Sequence, residues 1–177
     1  MPIDKESLAL NGRWSVQDTC LCASAPAVSV AFKAVTGEVT FDIEGEARFL
    51  FEIDGKPQKY VTVTDRKKQK FSTPKDGKPH TYRLVKVSES NPGKFCIHGI
   101  DLGKKGSFAE KPKASGRRIE FIGDSFTVGY GVEGKGPEDG TPFEKTLQHE
   151  HGDNCDNQSN CRPNNAPVRY PCKVFLL

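Results

Sequence analysis

The sequence predicts a mainly β protein in which an antiparallel β-sandwich of jelly-roll type precedes the start of an α/β domain. Three observations predict it. Apolar and polar residues alternate in steps of two over several runs, the spacing of a strand with one buried face. Combinations of Gly, Pro, Asn and Asp that favour turns separate these runs at intervals of roughly 8 to 12 residues. An unbroken apolar run further along the chain predicts where the α/β part begins.

The sandwich is predicted from strand-like runs between residues 28 and 100. Within residues 38–44, Val39, Phe41 and Ile43 alternate with polar residues, so one face of this strand is apolar. The same kind of run recurs at residues 28–32, 49–53, 60–64, 81–87 and 95–100. Because no segment here shows the 3.6-residue period of a helix, residues 8–110 are predicted to form one β-sandwich domain of about six or seven strands.

Three side chains of this domain belong to residue types that often bind ligands. Trp14 is expected to pack at the edge of the core, because large aromatic rings are mostly buried. His80 falls at a predicted turn and His98 in a predicted strand, which are ordinary structural positions. We predict a structural role for all three.

A linker is predicted after the sandwich, in the sequence GKKGSFAEKPKASGRR of residues 103–118. Its six basic residues are interpreted as a solvated stretch rather than a binding patch. The run RIEFI, residues 118–122, is apolar enough for a strand covered on both faces, as in a parallel sheet. We therefore predict that a new architecture occupies residues 111–143.

The composition disfavours several classes of partner. The formal charge of +3 arises from 26 basic and 23 acidic residues that are interspersed, so no nucleic-acid partner is expected. No segment approaches the roughly 18 apolar residues of a membrane span, so no membrane partner is expected either. The N-terminal residues show no export signal. Six cysteines neither require nor exclude disulfides, so their pairing and the compartment stay open.

The sequence GYGVEGKG of residues 129–136 formally matches two phosphate-binding patterns. Three glycines fit G-x-G-x-x-G, and the spacing from Gly129 to Lys135 fits the phosphate loop. However, Gly129 lies six residues past the strand end at Gly123, and no helical pattern follows. Gly136 also stands where the phosphate loop needs Ser or Thr. No nucleotide cofactor is therefore predicted.

Ser125 stands where a turn after a strand would expose a nucleophile. A strand that ends at Gly123 and turns through Asp124 brings the Ser125 hydroxyl to the carboxyl edge of a sheet, where open α/β folds bind ligands. A helix beginning at Ser125 directs backbone N–H groups toward an oxyanion. The pattern differs from the G-x-S-x-G nucleophile elbow, because Thr127 replaces the second glycine.

The run RRIEFIGDSFTVGYGVEG, residues 117–134, resembles block I of the SGNH hydrolases, the GDSL-type esterases, whose nucleophile is the serine of Gly-Asp-Ser. The longer span from about residue 12 to residue 136 resembles carbohydrate esterase family two, acetylesterases that act on plant polysaccharides such as xylan. The segments FEIDG, YRLVKVSES and IHGIDLG resemble parts of the jelly-roll domain that precedes the SGNH domain in that family. The resemblance implies the first block of a flavodoxin-like SGNH domain within residues 111–143.

By the same resemblance, Ser125 is the nucleophile that attacks an acetyl carbonyl, and its backbone N–H is one oxyanion donor. Asp124 and Gly123 shape the turn. The implied substrate is an acetylated polysaccharide or oligosaccharide, and the implied reaction needs neither a metal nor an organic cofactor. We expect a monomer, and members of the family are typically secreted.

The catalytic histidine of the family has no identifiable counterpart in this chain. Only 52 residues, 177 − 125, follow Ser125, too few for a doubly wound sheet with several crossovers. Residues 144–177 are dense in Asn, Asp, Gln and Pro and lack periodicity until a short apolar end. They are predicted to be an irregular polar tail foreign to the fold. The base is therefore unassigned, and the activity of this chain is expected to be impaired.

The tail also contains residues of types that ligate zinc: His149, His151, Cys155, Cys161 and Cys172. They include no C-x2-C pair, so an irregular polar tail is the simpler interpretation. A tail histidine can reach Ser125 along the chain, but nothing in the pattern would orient its ring. Two other interpretations stay open: a non-catalytic β-sandwich that binds polysaccharide or a partner protein, and a fragment that does not fold.

Overall fold

The computed structural model describes residues 3–17, 19–88 and 94–113, together with the backbone of residues 119–123 and 172–176. The chain begins with a 3₁₀ turn, η1 (Lys5–Ser7). The strands that follow are β1 (Ala9–Asn11), β2 (Ser15–Val16), β3 (Leu21–Ala23), β4 (Ser29–Val35), β5 (Glu38–Gly45), β6 (Ala47–Ile53), β7 (Lys56–Val63), β8 (Lys67–Ser72), β9 (His80–Lys86), β10 (Phe95–Asp101), β11 (Ser107–Phe108), β12 (Ile119–Gly123) and β13 (Cys172–Leu176). Within these ranges, no helix has the length and apolar character needed to cross a lipid bilayer.

Strands β1 to β11 form two antiparallel sheets. The six-stranded sheet has the order β1-β4-β9-β6-β7, with β11 also pairing β4. The five-stranded sheet has the order β2-β3-β10-β5-β8. The chain passes from one sheet to the other between β1 and β2, β3 and β4, β4 and β5, β5 and β6, β7 and β8, β8 and β9, β9 and β10, and β10 and β11. The predicted antiparallel β-sandwich is confirmed.

The structure has more strands than the predicted six or seven. Four of the additional ones, β1, β2, β3 and β11, are two or three residues long, too short to display a period of two. Strand β8 has the sequence KKQKFS, in which Phe71 is the one buried residue. With a single apolar residue, the strand shows no alternation of apolar and polar residues.

Aromatic rings from both sheets fill the space between them. Phe51 of the six-stranded sheet stacks on Phe71 of the five-stranded sheet with ring centroids 4.1 Å apart. Phe41 contacts both Phe51 and Phe32 with tilted or edge-on rings, the geometry that aromatic pairs favour. Trp14 packs edge-on against Phe95 at the margin of this core, as predicted. The rings hold the two sheets face to face.

Local sequence explains two irregularities in the strands. Asp54 and Gly55 both have positive φ, 50° and 75°, as a two-residue hairpin turn between β6 and β7 requires. In β10 the pairing with β5 shifts between Ile97 and Gly99, which places an extra residue, His98, in the strand. Because of this bulge, both Ile97 and Ile100 point into the core although they are three residues apart.

One disulfide joins two strands of the five-stranded sheet. Cys22 of β3 and Cys96 of β10 lie opposite each other in the antiparallel register and are bonded. Cys20 is a buried free thiol next to this bond. The Sγ atoms of these three cysteines all lie within 4.8 Å of one another.

The apolar run after the linker forms strand β12, as predicted. It pairs in parallel with β13, and the register joins Ile119 to Cys172 and Gly123 to Leu176. Strand β13 lies within residues 144–177, the segment predicted as an irregular tail, and coincides with its apolar end. The structure thus contains a parallel pair outside the antiparallel sandwich.

Candidate active site

Ser125, the predicted nucleophile, lies two residues after Gly123, the end of β12. Gly123 is the last residue of this strand, and its Cα pairs with that of Leu176, the last residue of β13. Two parallel strands therefore end together at one edge, the kind of edge at which open α/β sheets bind ligands. Asp124 and Ser125 lie outside the described residues, so their roles stay predictions.

His80 lies between two carboxylates at the first position of β9. Its Nδ1 is 2.6 Å from Oδ2 of Asp54, and its Nε2 is 3.1 Å from Oδ1 of Asp76. Carboxylates only accept hydrogen bonds, so both ring nitrogens carry protons when both contacts form. These hydrogen bonds, from Asp54 first and then Asp76, raise the pKa of His80 above its ordinary value of 6.5. An imidazolium held on both sides cannot accept the proton of a serine nucleophile.

His98 is the residue of the β10 bulge and pairs with Glu44 of β5. Its Nε2 lies 2.6 Å from Oε2 of Glu44, on the outer side of the five-stranded sheet. A carboxylate can orient a histidine in this way, and catalytic triads use the same contact. Here the ring is partly exposed and belongs to a surface that also carries the Arg66–Asp42 pair. We interpret His98 as a surface residue that is hydrogen-bonded to Glu44, in agreement with its predicted structural role.

The remaining sequence candidates fall in the tail or in the glycine-rich run. Residues 129–136, His149, His151, Cys155 and Cys161 lie outside the described residues. Cys172 opens strand β13. Their predicted interpretations therefore stay predictions.

An apolar surface that the sequence analysis did not single out lies on the six-stranded sheet, on the side facing away from the core. Leu50, Val85 and Val87 form a buried cluster separate from the main core, with exposed fractions of 2%, 0% and 0%. Their neighbours Phe49, Phe51 and Leu84 point into the sandwich instead. We call these three residues the outer apolar cluster. These three side chains are therefore shielded from solvent although they lie outside the main core.

Charged and polar side chains of the same sheet border the outer apolar cluster. Nη1 of Arg83 lies 3.1 Å from Oε2 of Glu52, whose side chain is only 4% exposed. Nε of Arg83 donates to Oγ of Ser29 at 3.2 Å. Nearby, the Arg48 guanidinium lies 4.3 Å from the centre of the Tyr60 ring, a cation–π contact. The face thus combines an apolar centre with a paired buried carboxylate.

The sequence did contain a signal for this face. In β9, Leu84 and Val85 are consecutive apolar residues, and consecutive apolar residues in a strand indicate burial on both faces. Leu50 lies between two phenylalanines in β6 and carries the same signal. What such runs do not specify is the element that covers the second face.

Comparison with known proteins identifies the sandwich. The family model described as "Carbohydrate esterase 2 N-terminal" matches residues 10–112. The cellulase/esterase CelE of Acetivibrio thermocellus is 34% identical over 140 residues, which are 76% of this chain but 17% of that protein.

Solved structures show the same fold. A family two carbohydrate esterase from Clostridium thermocellum, in complex with cellohexaose, superposes with a TM-score of 0.84 and 24% identity, covering 96% of this chain and 50% of that one. An acetyl xylan esterase from the rumen bacterium Butyrivibrio proteoclasticus superposes with a TM-score of 0.77 and 19% identity, covering 98% of this chain and 46% of the other. The chain therefore spans about half the length of these solved relatives. Because the family model covers more than half of its 177 residues, the chain belongs to the carbohydrate esterase 2 N-terminal family.

Proposed function

We propose that this chain carries the β-sandwich and the opening of the catalytic domain of an esterase that removes acetyl groups from plant polysaccharides. One observation carries the proposal: a sandwich of the carbohydrate esterase 2 N-terminal family is followed by a strand that ends at Gly123, immediately before Asp124 and Ser125. In this proposal residues 8–110 are the sandwich domain, and residues 111–143 are the linker, the strand and the first block of the SGNH domain.

The proposed reaction proceeds in two steps. Oγ of Ser125 attacks the acetyl carbonyl carbon, its proton passes to a base, and the sugar hydroxyl leaves with a proton as the ester C–O bond breaks. Water then attacks the acetyl group on Ser125 and releases acetate. Backbone N–H groups after the strand stabilise the oxyanion, and each such donor contributes about 3 to 4 kcal/mol in comparable sites.

The base limits the activity of this chain. A serine hydroxyl is a weak nucleophile until a neighbouring base accepts its proton. His80 is engaged by carboxylates on both ring nitrogens, and His98 pairs with Glu44 on the surface of the five-stranded sheet. Neither histidine of the residues that the structure describes is therefore available as the base for Ser125, and we propose that turnover by this chain is slow.

The outer apolar cluster supports the proposed domain arrangement. Leu50, Val85 and Val87 are buried on the side of the six-stranded sheet that faces away from the core. A sandwich that functions alone would expose its outer faces to water, with polar residues on them. We propose that this face is the platform against which the catalytic domain of the esterase packs.

The test is acetate release from acetylated xylan and p-nitrophenol release from p-nitrophenyl acetate by the full chain. We expect slow release that Ser125→Ala abolishes and that Ser72→Ala, at an exposed position of β8, leaves unchanged. Added imidazole, as a diffusible base, should accelerate the wild type beyond the background seen with Ser125→Ala. Equal rates for the wild type and Ser125→Ala, with and without imidazole, would remove Ser125 from the mechanism.

A second function is favoured by the family match, which covers residues 10–112 and so coincides with the sandwich rather than with Ser125. In this alternative the chain is a non-catalytic module that binds polysaccharide. The solved relative in complex with cellohexaose makes cellohexaose a suitable probe. Binding of cellohexaose or insoluble xylan with no Ser125-dependent acetate release would favour the module over the esterase.

A further inference from the structure

One side of the sandwich carries a concentration of positive charge. It consists of strands β7 and β8, each the last strand of its sheet, and the turns that follow them, residues 56–78 in all. This segment contains eight basic and two acidic residues, a formal charge of +6, whereas the other 18 basic and 21 acidic residues of the chain give −3. All eight basic side chains are exposed. We call residues 56–78 the basic edge.

The fold brings the two strands of the basic edge side by side. Strand β7 ends the six-stranded sheet, β8 ends the five-stranded sheet, and the short turn of residues 64–66 connects them. Nζ of Lys67 in β8 donates to the carbonyl of Thr62 in β7 at 2.7 Å, so this bond crosses from one sheet to the other. With eight residues at about 3.3 Å each, β7 is about 26 Å long. The positive charge therefore extends along the sandwich rather than around one point.

Only part of this charge is neutralised within the described part of the chain. Arg66 pairs with Asp42 of β5, and Lys70 pairs with Glu38 of the same strand. The acidic residue of the turn after β8, Asp76, is engaged by His80. Within the same described ranges, five exposed lysines of the basic edge form no ion pair: Lys56, Lys59, Lys68, Lys75 and Lys78. These lysines are available to the anionic groups of a partner.

Lysines at the edges of sheets also have a structural role. A positive charge on an edge strand prevents the strand from pairing with another sheet. This role accounts for lysines within β7 and β8, but not for Lys75 and Lys78, which lie in the turn after β8. The edge strands on the opposite side, β1 and β2, are shorter and contain no basic residue. Protection of the edges therefore explains only part of the charge.

We propose that the basic edge binds an acidic polysaccharide, in which sugar units carry carboxylates. Complementary charge favours this partner, because an extended row of lysines matches carboxylates that repeat along an extended polymer. The choice of a polysaccharide rests on the proposed function, whereas the negative charge of the partner follows from the edge itself. Single-stranded nucleic acid fits less well, because its bases stack on several aromatic rings. The basic edge exposes one such ring, Tyr60, and the Arg48 guanidinium lies 4.3 Å from its centre.

The exposure of the lysines determines how this binding behaves. A single exposed ion pair contributes little, so several lysines have to act together. Because salt screens exposed charges, with a Debye length of about 8 Å at physiological ionic strength, the affinity decreases as salt is added. No bond is made or broken at the basic edge. Its role is to hold the chain on the carboxylate-bearing stretches of the polymer.

Binding of the full chain to polygalacturonate, a polymer of a carboxylated sugar, tests the proposal. Its methyl ester is the matched ligand, because it keeps the sugar backbone and lacks the charge. Isothermal titration calorimetry compares the two polymers at about 0.01 M and about 0.15 M salt. One triple variant removes three charges of the basic edge: Lys59→Gln, Lys68→Gln and Lys78→Gln. The control variant removes three exposed charges elsewhere: Lys5→Gln, Lys94→Gln and Lys111→Gln.

We expect polygalacturonate to bind more tightly than its methyl ester, and to bind less tightly at the higher salt concentration. The edge variant should bind polygalacturonate about tenfold less tightly than the wild type, since three exposed charge contacts together have about this effect. The control variant should stay within about twofold of the wild type. All six substitutions lie at exposed positions, so circular dichroism and urea unfolding should show that both variants fold as the wild type does.

Equal binding of the two polymers, or equal losses in the two triple variants, would overturn the proposal. A DNA oligonucleotide that binds as tightly as polygalacturonate would also overturn it, because the partner would then be a nucleic acid. Self-association of the edge variant, with no binding of polygalacturonate by the wild type, would show that the lysines only protect the edges. None of these measurements involves acetate release. A failure here is therefore distinguishable from a failure of the proposed esterase, which Ser125→Ala tests.

Discussion

The outer faces of the two sheets are built differently. On the six-stranded sheet, Leu50, Val85 and Val87 are buried, and the carboxylate of Glu52 is almost fully covered beside Arg83. On the five-stranded sheet, the ion pairs Arg66–Asp42 and Lys70–Glu38 and the hydrogen bond between His98 and Glu44 lie at the surface. A sandwich whose two outer faces met only water would carry polar residues on both. The two outer faces thus differ in their described residues: one buries an apolar cluster beside a paired carboxylate, and the other carries exposed ion pairs.

The two faces also differ in how their strands are held. The five-stranded sheet has a covalent link between β3 and β10 on its outer side. On its outer side, the six-stranded sheet carries the outer apolar cluster instead. Three substitutions with matched controls test this contrast, and a fourth at His80 is compared at two pH values, from the largest expected effect to the smallest.

Removing the disulfide should have the largest effect. Cys96→Ala frees a cross-link between residues 74 apart, and the chain-entropy model assigns such a loop about 4 kcal/mol. Cys20→Ala is the matched control, because it removes a buried sulfur and keeps the bond, with an expected loss below about 1.5 kcal/mol. Urea unfolding under non-reducing conditions measures both. Equal losses for the two variants would show that the cross-link contributes little.

A charge in the outer apolar cluster should have the next largest effect. Val85→Asp places a carboxylate at a position with 0% exposure, and we expect the free energy of unfolding to fall by about 3 kcal/mol or more. Val16→Asp is the same change at a strand position that is 52% exposed, where the expected change is within about 0.5 kcal/mol. Similar losses at the two positions would contradict the proposed covering of the six-stranded sheet.

Matched arginine substitutions compare ion pairs on the two faces. Arg83→Leu leaves the buried Glu52 carboxylate without this partner, and we expect a loss of about 2 kcal/mol, below the range for fully buried pairs because Arg83 is 21% exposed. Arg66→Leu removes the exposed partner of Asp42, and its effect should lie within the error of the measurement. Adding Glu52→Gln to Arg83→Leu should recover part of the loss. If it recovers none, the charge of Glu52 is not the cause.

Alternation and turn chemistry predicted the sandwich because both are local properties of the chain. The turn between β6 and β7 needs positive φ at two adjacent residues, and the dipeptide Asp54-Gly55 is a sequence signal for such a turn. The Cys22–Cys96 pairing depends on the register of β3 against β10, strands far apart in the chain, so no local pattern specified it. The carboxylates on both sides of His80 come from two separate turns and were likewise not visible. Ser125 was predicted from its position after an apolar strand and from family resemblance.

The smallest expected effect concerns His80, whose ring joins the turn at Asp54 to the turn at Asp76. Burial raises the pKa of Asp54, but hydrogen bonds from His80 and from the Thr81 backbone outweigh it, so the carboxyl stays below 3.8. The pKa of Asp76 is also below 3.8, through hydrogen bonds from the Lys78 backbone and His80. At pH 5.5 both carboxylates are therefore ionised and the imidazole is protonated.

The pKa of His80 is higher in the folded chain than its unfolded value near 6.5, so folding favours the protonated ring. Its stabilising contribution is fully present below pH 6.5 and is lost as the pH rises through the folded pKa. The stability difference between the wild type and His80→Gln should therefore be larger at pH 5.5 than at pH 9, as urea unfolding at the two pH values would measure. A difference that stays constant or grows toward pH 9 would mean that His80 contributes through packing rather than through its charge. In that case van der Waals contacts of the His80 ring, and not its charge, would stabilise the two turns.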